Sequence, residues 1–106
     1  MFVVVLITCP DGKSAARITN DLLEKRLAAC GNIVPGLKSL FWWHGKKHAA
    51  EEVLLMLKTR QDLVKKIVRA VKKIHPYKNP EIIALPIVGG SKEYIKWVEE
   101  ETGSGK

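Results

Sequence analysis

The chain has 106 residues, 46% of them hydrophobic and 27% charged, with a formal net charge of +7 and a pI near 9.6. That mixture is globular rather than disordered, and the length suits one domain with a real core. No apolar run approaches the roughly 20 residues that a membrane helix needs, so no membrane partner is expected.

Met1 leads straight into Phe2-Val3-Val4-Val5-Leu6-Ile7. This run lacks a basic leader and is closed by Thr8-Cys9-Pro10-Asp11, so it reads as a first strand and not as a secretion signal. A cytoplasmic location is the expectation. Pro10-Asp11-Gly12 breaks the strand, and Asp11 or Ser14 can cap the helix that follows. From Lys13 to Ala29 the apolar residues Ala15, Ile18, Leu22, Leu23 and Leu27 recur at helical spacing, with Gly31 near a C′ position. Ile33 and Val34 resume an extended run, bent at Pro35-Gly36 and continued from Leu37 to Trp43. His44-Gly45-Lys46-Lys47 reads as a hairpin turn. Ala49 to Thr59 returns as a strand. A helix from about Asp62 to Ile74 follows, then the stiff loop His75-Pro76-Tyr77-Lys78-Asn79-Pro80-Glu81, then a strand from Ile82 to Val88. Ser91 opens a short last helix with Tyr94, Ile95 and Val98 on one face. The domain is read as residues 1–102, with 103–106 a flexible tail.

Lys65, Lys66, Arg69, Lys72 and Lys73 lie opposite the stripe Leu63, Val64, Ile67, Val68, Val71, Ile74. They read as the solvated face of an amphipathic helix. Lysine dominates and no aromatics are interleaved for base stacking, so no nucleic-acid partner is expected. Two cysteines, Cys9 and Cys30, do not make a secreted disulfide framework and read as thiols.

The order β-α-β-β-α-β plus a terminal helix is the split βαβ, ferredoxin-like pattern of the α+β class. Two right-handed crossovers place both long helices on one face of a four-stranded antiparallel sheet of order 4-1-3-2. Cys9, Asp11, His75, Tyr77 and Glu81 then share one end of the fold, and Cys30 and Lys58 the other. A Cys9–Cys30 disulfide would have to span the sheet and is rejected. The uncovered sheet face is very apolar along Leu40-Phe41-Trp42-Trp43 and Val53-Leu54-Leu55-Met56-Leu57. Such a face calls for burial in a homo-oligomer.

The run Val4-Val5-Leu6-Ile7-Thr8 before Pro10-Asp11, the segment Leu27-Ala28-Ala29-Cys30-Gly31-Asn32-Ile33-Val34-Pro35-Gly36, Ser39 with Trp43 and Gly45-Lys46, Glu51-Glu52-Val53, Leu57-Lys58-Thr59, His75-Pro76-Tyr77 before Pro80-Glu81, and Tyr94 with Trp97 make a connected pattern. It resembles the CutA-type divalent-cation tolerance proteins, from Val3 to Thr102. The resemblance implies a ferredoxin-like homotrimer, a role in tolerance of divalent metals, and copper binding. No organic cofactor is implied.

For metal, the resemblance points to His75. Where some bacterial members carry a second histidine and a first-strand cysteine, this chain has Ile74 and Ile7. Cys9, two residues on and on the same strand face, is the substitute candidate. Cu(II) favours imidazole and Cu(I) thiolate, so both side chains suit copper. Against this stands the plainer reading of Cys9 as a small buried thiol and of His75 as a cap on the carbonyls ending the second helix. His44 and His48 flank the hairpin and read as solvated. Cys30, Trp43, Lys58, Tyr77 and Glu81 match other recurring family positions. A trimer could gather them into a PII-like inter-subunit cleft for a small anionic metabolite, or Glu81 and Lys58 could form interfacial ion pairs.

An enzyme is not expected. An acylphosphatase-like phosphate cradle after the first strand is spoiled by Pro10, which lacks a donor, and by Asp11, which repels phosphate. An RNA-recognition sheet would need exposed aromatics where Val53 to Leu57 is aliphatic.

Overall fold

A computed structural model describes residues 1–103 of the chain. The strands are β1 (Phe2–Cys9), β2 (Cys30–Trp43), β3 (Lys46–Arg60) and β4 (Ile82–Pro86). The helices are α1 (Gly12–Glu24), α2 (Val64–Ile74, entered through a 3-10 turn, Gln61–Leu63) and α3 (Lys92–Glu101). All strand pairs are antiparallel, in the order β2-β3-β1-β4. This is the α+β arrangement expected from the element order. The expected tail at 103–106 lies, from Ser104 on, outside the described residues.

Side-chain alternation explains the layering. On β1, Val3, Val5, Ile7 and Cys9 are buried, and on β3 their counterparts are Val53, Leu55, Leu57 and Thr59. They meet Ala15, Ile18 and Leu22 of α1 and Ile67 and Val71 of α2. Each fully buried aliphatic side chain contributes about 1.5–3 kcal/mol. The register sets Val34, Phe41, Trp43, Ile83 and Leu85 on the opposite face, where they stay 40–49% exposed. Beyond β1 the sheet narrows. β1 reaches only as far as Val53, so Lys46 to Glu52 pair with β2 alone. The result is a projecting two-stranded arm with Leu40 at 77% and Trp42 at 70% exposure.

Local chemistry explains the corners. Asp11 caps α1 by accepting the Ser14 N–H at 2.8 Å. That bond holds its carboxyl below the usual range. The β2–β3 turn is closed by His44 and Gly45, with φ 51 and 76, the two positive values a tight hairpin turn requires. The turn is shorter than the sequence suggested, and both strands run longer. Gly36, at φ +82, and Pro35 sit in a bulge between the Val34–Leu54 and Leu37–Glu52 pairs.

Two further element ends fall short of the sequence expectation, and one is β4, which stops at Pro86 and not at Val88. The first helix ends at Glu24 and not at Ala29. Arg26 takes φ 58, its N–H bonds Leu23 O and the Leu27 N–H bonds Leu22 O, both at 3.0 Å. This is a Schellman closure with arginine where glycine usually stands. Leu27 keeps the helical spacing in sequence, but it lies past the helix end, half-buried against the core beside the buried Ala28. Gly31 is therefore no helix terminator. It lies in β2, where an added Cβ would meet the Thr19 side chain at 2.7 Å.

Candidate functional site

The loop from His75 to Glu81 carries the chain across the end of β1. His75 begins it where α2 stops, its N–H bonded to Val71 O at 2.8 Å. Its ring turns inward and is 8% exposed. The Tyr77 N–H donates to His75 Nδ1 at 3.0 Å, and Nε2 lies 2.8 Å from Thr8 O. A ring nitrogen that accepts from an N–H carries no proton, so Nε2 holds it and donates to the Thr8 carbonyl. The ring does cap a carbonyl, but that of β1 and not those ending α2. Both imidazole nitrogens are engaged.

Tyr77 continues the clamp. Its hydroxyl donates to Glu52 Oε2 at 2.6 Å. Glu52 is one residue past the Cys9–Val53 pair, in the gap left where β1 ends, and is 8% exposed. Burial, then the bond to Glu52 and its charge, push the Tyr77 hydroxyl well above the ordinary phenol range. Cys9 closes the corner with no exposed surface. Burial first, then the charges of Asp11 and Glu52, push its thiol up to about 11. A metal-ligating thiol must be deprotonated, and this one resists it.

In the resting protomer both nominated metal ligands are engaged elsewhere. His75 has no free nitrogen and Cys9 no accessible thiolate. Among the described residues no group of three or more His, Cys, Asp and Glu side chains is placed to hold a metal ion. His44 and His48 do not form a pair of ligands either. His48 stacks on Phe41 at 5.8 Å and His44 meets the edge of Trp43 at 4.8 Å. The residues as arranged do not fit a resident metal.

The other nominated residues fall into two places. Trp43, Tyr77 and Glu81 line one cleft of about 910 Å³, together with Phe41, Glu52 and the exposed Lys38 and Lys78. Cys30 and Lys58 face each other across β2 and β3 at the far end of the sheet. There the Lys58 ammonium donates to Asn32 Oδ1, and Cys30 Sγ lies 3.8 Å from the same oxygen. Tyr94 of α3 stands close by. Its partial burial, and then the Cys30 thiol, push its hydroxyl up. A smaller cleft of about 540 Å³, lined by Met1, Phe2, Arg60, Asp62 and Glu99, contains none of the nominated residues.

Sequence reasoning missed Glu52 and Asn32 as site residues. The signal for Glu52 was a carboxylate directly before the apolar run Val53 to Leu57. The signal for Asn32 was its position one alternation from Cys30. Cys9 and Cys30 are free thiols, as expected from the topology.

The family model for the CutA1 divalent ion tolerance protein matches residues 3–101. The divalent-cation tolerance protein CutA of Thermus thermophilus is 49% identical over 100 residues, covering 94% of this chain and 97% of that protein. The solved structure of the divalent cation tolerance protein from Thermus thermophilus superposes with a TM-score of 0.94 at 48% identity, covering 97% of this chain and 100% of that one. The periplasmic divalent cation tolerance protein CutA of Archaeoglobus fulgidus also superposes at 0.94, with 44% identity over 97% of this chain and 100% of its own. With sequence and fold in agreement, the chain belongs to the CutA1 divalent ion tolerance family.

Proposed function

We propose that this protein serves divalent-cation tolerance as a cytoplasmic homotrimer, without catalysis, and that copper is an ion it binds. The observation that carries the assembly is the projecting β2–β3 arm. A two-stranded ribbon is marginal in water on its own, and this one exposes Leu40, Phe41, Trp42 and Trp43. Burial against further copies of the chain removes that surface from water. Light scattering tests it, and an 11.9 kDa species at micromolar concentration would sink it.

The cation is a separate matter from the assembly. Family membership supports a role with divalent cations, and the sequence nominates His75 with Cys9. The resting geometry opposes both as ligands, so His75 can ligate only by releasing Thr8 O or the Tyr77 N–H. Calorimetric titration of Cu(II) into wild type and His75→Ala decides this. Equal affinities remove His75 from any copper site and leave the ion to ligands that assembly brings together.

A further inference from the structure

Two charged side chains on one strand are withdrawn from water and left without a counter-charge. Glu52 is 8% exposed and, among the described residues, joins no ion pair. Its side-chain partner is the neutral hydroxyl of Tyr77. Lys58 is half-buried, whereas every other lysine among the described residues is exposed. It too joins no ion pair there, and its ammonium donates to the neutral amide oxygen of Asn32. Removing an ion from water is costly, and folds offset that cost with an opposite charge and further hydrogen bonds. One neutral partner does only part of that work.

Both side chains stand on the same surface. Along β3, Glu52, Leu54, Met56 and Lys58 alternate with Val53, Leu55, Leu57 and Thr59, which lie on the helix-covered side. Glu52 and Lys58 therefore belong to the sheet face that α1 and α2 leave open. Glu52 sits at the base of the arm, in a wall it shares with Phe41 and Trp43, and Lys58 sits towards the other end of the strand. The strand rises about 20 Å between them, too far for the two to pair within one protomer. Lys38 and Lys78 line the cleft beside Glu52, but both are exposed and gain little by leaving water.

We infer that Glu52 of one copy pairs with Lys58 of the neighbouring copy. The inference rests on the homo-oligomer proposed above and names a contact inside it. Laying the arm of one copy on the open face of the next takes the arm's aromatic residues out of water and gives both charges their missing partner. The two patches differ, so the interface is heterologous, and each copy gives one charge and receives one until a ring closes.

The test is a double-mutant cycle on the full chain, read from dissociation of the assembly by sedimentation at falling protein concentration. Glu52→Gln keeps an oxygen acceptor for Tyr77, and Lys58→Gln keeps an amide donor for Asn32, so each removes the charge alone. Each single variant should weaken assembly by about tenfold or more, and the double variant no further than the weaker single. An intact oligomer whose losses multiply in the double variant overturns the pair and leaves the oligomer standing. A wild-type monomer overturns both. Should Glu52→Gln fail to fold, the wild-type assembly decides through carbodiimide, which joins a carboxylate to an amine as an amide only where they touch. A peptide carrying a Glu52–Lys58 amide is then expected, and the strand length assigns it to contact between copies. Glu52 joined only to Lys38 or Lys78, or to no lysine, overturns the pair.

Discussion

Replacing His75 by alanine tests whether the loop is a clamp. The ring satisfies two main-chain groups on different elements, the Thr8 carbonyl at 2.8 Å and the Tyr77 N–H at 3.0 Å. Each hydrogen bond contributes about 0.5–1.5 kcal/mol net, and a buried group left without a partner costs about 1–3 kcal/mol. The site is 8% exposed, so water cannot fully replace the lost partners. Lost packing of the ring adds to this, giving an expected total of about 2–4 kcal/mol. The conservative variants divide that sum. Asparagine can put an oxygen near the position of Nδ1 and keep the Tyr77 bond. Glutamine can reach the position of Nε2 and keep the Thr8 bond. Both should cost less than alanine.

The assay is urea unfolding at one fixed protomer concentration, since an oligomer's stability depends on it. Midpoints should fall in the order wild type, then Asn or Gln, then Ala, with m unchanged. Equal midpoints for Ala, Asn and Gln would refute the hydrogen-bond reasoning and leave only packing. A midpoint for Ala within error of wild type would refute the clamp altogether.

Gly31→Ala should destabilise by about 1–3 kcal/mol through overpacking, because the new methyl meets Thr19 Cγ2 at 2.7 Å and Leu57 Cδ2 at 3.0 Å. Pairing it with Thr19→Ser should restore part of the loss, and a thermal melt showing no recovery would exclude that contact as the cause. Tyr77→Phe strips Glu52 of its hydroxyl donor and should cost about 1.5–3 kcal/mol, as for hydrogen bonds to charged groups; a urea midpoint unchanged from wild type would place Glu52 in water instead. Cys9 should resist iodoacetamide at pH 8 in the folded protein while Cys30 reacts more readily, read by peptide mass spectrometry. Since the folded Cys9 pKa is raised from 9.0 to about 11, the native state holds its proton more tightly than the unfolded state. Its stabilising effect is complete below about pH 9 and is lost as pH rises from 9 towards 11. Cys9→Ala should flatten that decline relative to wild type.

The fold was legible because its signals are periodic. Alternation along Phe2 to Cys9 and the helical stripe of α2 each name an element and its buried face, and the element order then leaves one chiral arrangement. The end of α1 was not legible for a physical reason. Arg26 in a left-handed conformation carries no composition signal, and its ion pair with Glu101, at 2.7 Å, joins residues far apart in the chain. The same holds for α3. Its start after the Gly89-Gly90-Ser91 turn could be read, yet of Tyr94, Ile95 and Val98 only Val98 is fully buried.

The site shows where residue identity stops and geometry takes over. Histidine and cysteine on adjoining segments suggest a metal pair, and the topology does bring Cys9 and His75 to one corner. Which of a ring's nitrogens is free depends on the main chain beside it, and here Thr8 and Tyr77 occupy both. The unexpected feature of the corner lies one residue beyond the Cys9–Val53 pair, at the buried Glu52. That carboxylate was easy to pass over as a polar residue on a strand. It becomes distinctive only once Tyr77 is seen to reach it and the surrounding cleft is found to be aromatic. The loop between α2 and β4 is stiff because it holds two jobs together. Through His75 it ties α2 to β1, and through Tyr77 it sets a buried negative charge in the wall of a cleft.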